Sequence, residues 1–171
     1  MKTKNHIKSH IFAVFLPAFA ISVMAGCVSV NIGQSQTERS QKVRAEAPAS
    51  PFKKQDSSNA DQSWQSEKTG NTISYFSECA ESSASLEFLA TEFGSILQNA
   101  KVINSSTRFY NGREAFESVT EGRLDGIPMK ISSLVFKKNG CSYLISYVAR
   151  TDRFNTDEAS FKTFIEKFQA P

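Results

Sequence analysis

Three dipeptides, Asn111-Gly112, Asp125-Gly126 and Asn139-Gly140, limit what the second half of this chain can fold into. Both residues of each pair tolerate positive φ, which a two-residue turn needs if its twist is to match the strands it joins. Three such turns in succession predict an antiparallel meander. The segments between them suit that reading: Lys101 to Tyr110, Arg113 to Arg123, Ile127 to Lys138 and Cys141 to Arg150. Ala115, Phe116 and Val119 would also suit a short helix over Arg113–Arg123, but turns bracket the segment at hairpin spacing, which favours a strand. In the last segment Tyr143, Ile145 and Tyr147 point one way, while Leu144 and Val148 point the other. Both faces of the sheet are therefore expected to be covered.

Earlier in the chain, Trp64 to Lys68 and Thr72 to Ser77 read as two strands joined at Thr69-Gly70-Asn71. Trp64 is expected to pack under the edge of the core. Leu86, Leu89, Phe93 and Ile96/Leu97 recur at helical spacing, with Ser83 or Ser85 placed to cap the helix start. A second helix is expected from Asn155 or Thr156, where Asn155 and Glu158 have capping-box spacing. Its stripe is Phe161, Phe164, Ile165 and Phe168. The expected fold is α+β, an antiparallel sheet of about six strands flanked by two helices, in the order β-β-α-β-β-β-β-α.

That order, the meander ending in Asn139-Gly140-Cys141-Ser142-Tyr143-Leu144-Ile145-Ser146-Tyr147, and the terminal Phe161-x-x-Phe164-Ile165-x-x-Phe168 helix resemble the PsbP-like α/β/α sandwich. The group includes the extrinsic photosystem II subunit, Mog-type Ran-binding proteins and DcrB-type bacterial lipoproteins. The resemblance implies a fold and no activity, because its members bind different partners and share no catalytic motif.

The start of the chain is of another kind. Lys2, Lys4 and Lys8 precede an apolar run from Ile11 to Met24, which is shorter than the ~20 residues a membrane-spanning helix needs. The run ends in Met24-Ala25-Gly26-Cys27, which resembles the lipobox of bacterial lipoproteins, with Met24 in place of the commoner Leu. The resemblance implies a signal peptide over 1–26, removed on export, and a lipid on the Cys27 thiol. Val28 and Ser29 follow, without an Asp, and the same resemblance implies sorting to the outer membrane with the domain in the periplasm. Residues 27–62 are rich in Gln, Ser, Ala and Lys, contain Pro48 and Pro51, and are expected to form the lipidated Cys and a disordered tether. A single globular domain is expected over 63–171.

The formal +3 charge is the sum of +4 on the signal and tether and −1 on residues 63–171, which hold 12 Lys/Arg against 13 Asp/Glu. No basic stripe suggests nucleic-acid binding. With Cys27 lipidated, Cys79 and Cys141 remain as a pair, and an exported domain is expected to oxidise them. The only histidines, His6 and His10, lie in the signal, so His-based triads and His zinc sites are excluded from the mature chain. No catalytic residue, metal site or cofactor is expected. Glu114, Glu117 and Glu121, with Arg123 and Asp125, read as strand-edge and turn charges. Three functions are compatible with these features. The first is a non-enzymatic envelope lipoprotein that docks on another envelope protein. The second is a carrier or sensor of an apolar ligand held by Phe88, Phe93, Phe161 and Phe164. The least favoured is a carboxylate hydrolase.

Overall fold

The computed structural model describes residues 38–80 and 82–171. The three glycine turns form hairpins. Asn111, Asp125 and Asn139 have φ of 50°, 49° and 51°, and the glycines that follow them lie at 78°, 80° and 76°. The meander they connect is β4 (Gln98–Tyr110), β5 (Arg113–Leu124), β6 (Ile127–Lys138) and β7 (Cys141–Arg150). Arg113–Leu124 is a strand, and two helices flank the sheet as expected: α1 (Leu86–Gly94) and α2 (Phe154–Lys167).

The sheet has seven strands, one more than the sequence reading gives. Before α1 come β1 (Phe52–Gln55), β2 (Gln62–Ser66) and β3 (Thr72–Cys79), and the spatial order is β1-β2-β3-β7-β6-β5-β4. Among the described residues, the seam between β3 and β7 is the one place where strands distant in sequence pair. There Thr72 to Cys79 run antiparallel to Val148 back to Cys141.

The tether expectation needs correction over residues 38–62. Phe52–Gln55 pairs with β2, and the strap before it docks on the domain at separated points. Arg39 pairs with Asp61 at 3.1 Å, and its guanidinium lies 4.1 Å from the Phe76 ring centre. Ser40 Oγ lies 2.7 Å from the Tyr143 hydroxyl, Arg44 exchanges backbone bonds with Gln169, and Lys167 donates to Glu46 at 2.7 Å. These are polar contacts to sequence-distant partners, which apolar periodicity does not register. Residues 1–37, including Cys27, lie outside the described residues.

Cross-strand partners share a face, so the register assigns the layers. Tyr147 lies opposite Ile73 and Ser132, and its ring stacks on Phe161 of α2 with centroids 5.4 Å apart. Thr120 lies opposite Ile131, on the other face, and its side chain abuts Gly94 of α1. The helices therefore cover opposite faces. The α2 face holds the main core, in which Trp64, Tyr75, Phe136, Tyr143, Phe164 and Phe168 form a continuous aromatic layer. Trp64 is 3% exposed, with its ring centroid 5.3 Å from that of Phe164.

Both helices start through polar contacts, but by different means. The Phe88 backbone N–H donates to Ser85 Oγ at 3.0 Å, one of the two caps the sequence offers for α1. At α2 the expected Asn155/Glu158 box does not form, because the helix begins at Phe154, directly after a 3-10 turn over Thr151–Arg153. Glu158 pairs instead with Lys162 at 2.9 Å. A buried network holds this helix end: Asn71 Nδ2 donates to Asp157 Oδ2 at 2.8 Å, to the Tyr147 hydroxyl at 2.9 Å and to the Arg153 carbonyl at 3.0 Å. Thr69 Oγ1 donates to the same Asp157 oxygen at 2.5 Å, and the Tyr147 hydroxyl donates to the Phe154 carbonyl at 2.7 Å. Removing Asn71 leaves Asp157 short of a donor in a buried site. Asn71→Ala should cost about 2–3 kcal/mol, measured by urea denaturation.

Candidate docking surface

The two ends of the sheet differ in chemistry. One end carries the Asn111-Gly112 and Asn139-Gly140 turns together with the disulfide between Cys79 and Cys141, which are direct partners across the β3–β7 seam. The sequence places these cysteines in distant parts of the sheet; they lie in adjacent strands. Glu38, the first described residue, lies at this end and accepts a backbone hydrogen bond from Cys79 at 2.8 Å. A hollow of 780 Å³ opens beside the disulfide, lined by Ser82, Ser83, Arg113, Lys137 and Lys138. Its cations are partly engaged: Lys137 Nζ donates to the Ser82 and Ala84 carbonyls, and Lys138 Nζ to that of Ala170.

The opposite end is aliphatic. Among the described residues seven large hydrophobic side chains are exposed, and five of them gather here: Ile96, Val102, Ile103, Leu124 and Ile127. The register brings them together. Leu124 lies opposite Ile127 at the Asp125-Gly126 turn, Gln98 opposite Arg123, and Val102 opposite Thr120. Two irregularities in the β4–β5 pairing, between Gln98 and Lys101 and between Val102 and Asn104, re-aim the strand at this point. Gly122 allows the chain leaving α1 to cross closely, since a Cβ there would meet Leu97 Cβ at 2.7 Å and the Gln98 carbonyl at 2.9 Å. At about 3.3 Å per residue, the 12 residues of β6 put the two ends roughly 40 Å apart.

Between α2 and the outer strands runs a groove. Its floor includes Val119, Phe161 and Ile165, and Asn104, Ser106, Glu117, Glu158 and Lys162 form its rim, enclosing 270 Å³. It continues toward Arg108, Tyr110 and Phe168 as a wider space of 540 Å³. The Tyr110 hydroxyl donates to the Ile165 carbonyl at 2.7 Å. Burial pushes its pKa up; Arg108 and Asn111 oppose the shift and Glu117 adds to it, so it stays a neutral donor.

The acidic residues do not assemble into a catalytic group. Glu117 and Glu121 share a face, as the strand spacing implies, but each meets its own cation, Arg108 and Lys130 respectively, at 2.7 Å. Arg123 donates to the Gly126 carbonyl within its turn, and Glu114 is exposed. The four phenylalanines of the carrier reading also stay apart. Phe161 and Phe164 are buried against the sheet under α2, whereas Phe88 and Phe93 belong to α1 on the opposite face. The sequence gives no sign of the aliphatic end, because Val102, Ile103, Leu124 and Ile127 read as ordinary strand residues until the strand order is known.

No family model matches the chain, and no curated protein sequence matches it. Solved structures do. LpqN, involved in cell envelope biogenesis of Mycobacterium tuberculosis, superposes with a TM-score of 0.62 at 13% identity, over 81% of this chain and 88% of that one. Cyanobacterial PsbP (CyanoP) from Synechocystis sp. PCC 6803 superposes with a TM-score of 0.53 at 17% identity, over 86% and 99%. The fold is PsbP-like. In this chain the PsbP-like sheet carries the aliphatic end on the first halves of β4 and β6 and the last residues of β5. Among the described residues no helix is long and apolar enough to cross a membrane.

Proposed function

We propose that this chain is a lipid-anchored, non-enzymatic protein of the bacterial cell envelope whose PsbP-like domain docks on another envelope protein through its aliphatic end. The observation that carries the reading is the position of that end, on the far side of the sheet from Glu38, the first described residue. A domain held by a lipid on Cys27 would present this surface away from its own membrane. A cluster of exposed aliphatic side chains rimmed by Lys101, Arg123 and Asp125 has the composition of a protein contact rather than of a solvated surface. LpqN supports the envelope assignment by analogy of fold.

The tether in this reading is the stretch from Cys27 to about Thr37, shorter than the composition suggests, because residues 38–62 are folded. At ~3.3–3.6 Å per residue such a segment reaches no more than about 40 Å, so the domain stays close to its membrane. The absence of Asp after Cys27 favours the outer membrane, with the domain in the periplasm. Fatty-acid labelling with membrane fractionation tests the anchor. Wild type should carry label and sediment with membranes. Cys27→Ala should lose the label completely, and label persisting in that variant would remove the anchor from the account.

A further inference from the structure

The two edges of the sheet are protected unequally. One edge is β1, only 4 residues long and preceded by Pro51, the kind of edge that resists strand addition. The other is β4, 13 residues long, with no proline and no acidic side chain. β4 pairs with β5 on its inner side. Among the described residues no backbone or side-chain group bonds its outer side.

The register shows which groups that outer side offers. The two-residue turn at Asn111-Gly112 is closed by the Tyr110–Arg113 pair, which is a hydrogen-bonded pair in such hairpins. Hydrogen-bonded and non-bonded pairs alternate along an antiparallel ladder, so Arg108 and Ser106 also direct their backbone groups to β5. Phe109, Thr107 and Ser105 direct theirs outward. The regular stretch runs from Asn104 to Tyr110, beyond the bulges. Asn104 and Ser106, the groove-facing side chains beside it, are short, which leaves the groove over Val119 and Ile165 open toward this edge.

We propose that β4 is a strand-addition site: an extended peptide segment of a partner protein pairs with Ser105–Phe109 and places alternate aliphatic side chains in the groove beneath α2. Backbone bonds supply affinity in this mode, and the groove supplies selectivity at every second residue. Lys101, on a strand with no acid, favours a segment with an acidic residue near one end. The proposal requires neither the lipid anchor nor the aliphatic end.

The test selects a display library of random-sequence peptides on the detergent-solubilised full chain. The selected peptides are then read by amide hydrogen exchange and by affinity. The expected peptides carry aliphatic residues at alternate positions and protect the amides of Ser105, Thr107 and Phe109. Thr107→Pro removes one outward N–H without touching the β5 ladder and should weaken binding by about tenfold or more. Thr107→Val, which keeps that N–H, should bind as wild type. Ser106→Trp, at an exposed position, fills the groove and should also weaken binding, which keeps the test decisive if Thr107→Pro fails to fold. Four outcomes overturn the proposal: no peptide is enriched, the β4 amides stay unprotected, Thr107→Pro binds as wild type, or β4 becomes protected with rising protein concentration and no peptide. The last would assign the edge to a second copy of this chain. None of these results bears on cross-linking from the aliphatic end, so the two surfaces succeed or fail separately.

Discussion

Replacing both Cys79 and Cys141 by Ser should lower the stability of the domain by about 4 kcal/mol and its melting temperature by roughly 15 °C. The disulfide spans a sequence separation of 62 residues, and closing a loop of that length removes much of the freedom of the unfolded chain. Its position adds to the effect. It clamps the end of the β3–β7 seam, the joint between the N-terminal strands and the meander, and Cys79 also holds Glu38. The double substitution avoids a lone reactive thiol. Urea denaturation of the variant, and of wild type under reducing conditions, should agree; a loss below about 1 kcal/mol in both would mean that the seam holds without the bridge.

Phe168→Ala should cost about 3–5 kcal/mol. Phe168 is 2% exposed, and its ring centroid lies 5.1 Å from that of Tyr75, 6.1 Å from Phe164, 6.3 Å from Phe136 and 6.4 Å from Tyr143. It joins side chains from β3, β6 and β7 to the end of α2, so its removal opens a cavity that no single neighbour can fill. The backbone around it is also in use: the Phe168 carbonyl accepts from Asn111 Nδ2 at 3.0 Å, which ties the end of α2 to the β4–β5 turn. Phe168→Leu, which retains much of the volume, should recover more than half of the loss. Equal losses for Leu and Ala, read from denaturation midpoints, would mean that aromatic contacts rather than filled volume dominate there.

The parts of the fold legible in the sequence are those fixed by local chemistry. An Asn-Gly or Asp-Gly pair suits positive φ wherever it stands, so β6 and β7 have the bounds their turns imply. Ser85 caps α1 through a bond to Phe88, three residues on. What the sequence hides depends on partners far along the chain. The strap from Glu38 to β1 is polar and proline-containing, and its order comes from Asp61, Tyr143, Lys167 and Gln169. The start of α2 was hidden for the same reason, since Asn71 lies well upstream of Asp157. The exposed aliphatic end was least visible of all. Leu124 and Ile127 flank a legible turn, but Val102 joins them only through the bulged β4–β5 register, and β4 becomes an edge only because β7 pairs with β3.

Docking through the aliphatic end would put a partner in the envelope within reach of its side chains. A photo-cross-linking amino acid placed at Leu124, at Ile127 and, as a control, at exposed Lys54 on β1 tests it in intact cells. Leu124 and Ile127 should yield one adduct of the same mass and Lys54 none, and that adduct should be lost when Val102 and Ile103 are both changed to Asp with the melting temperature unaltered. Equal adduct yields from all three positions, or no adduct from the aliphatic end, would contradict it.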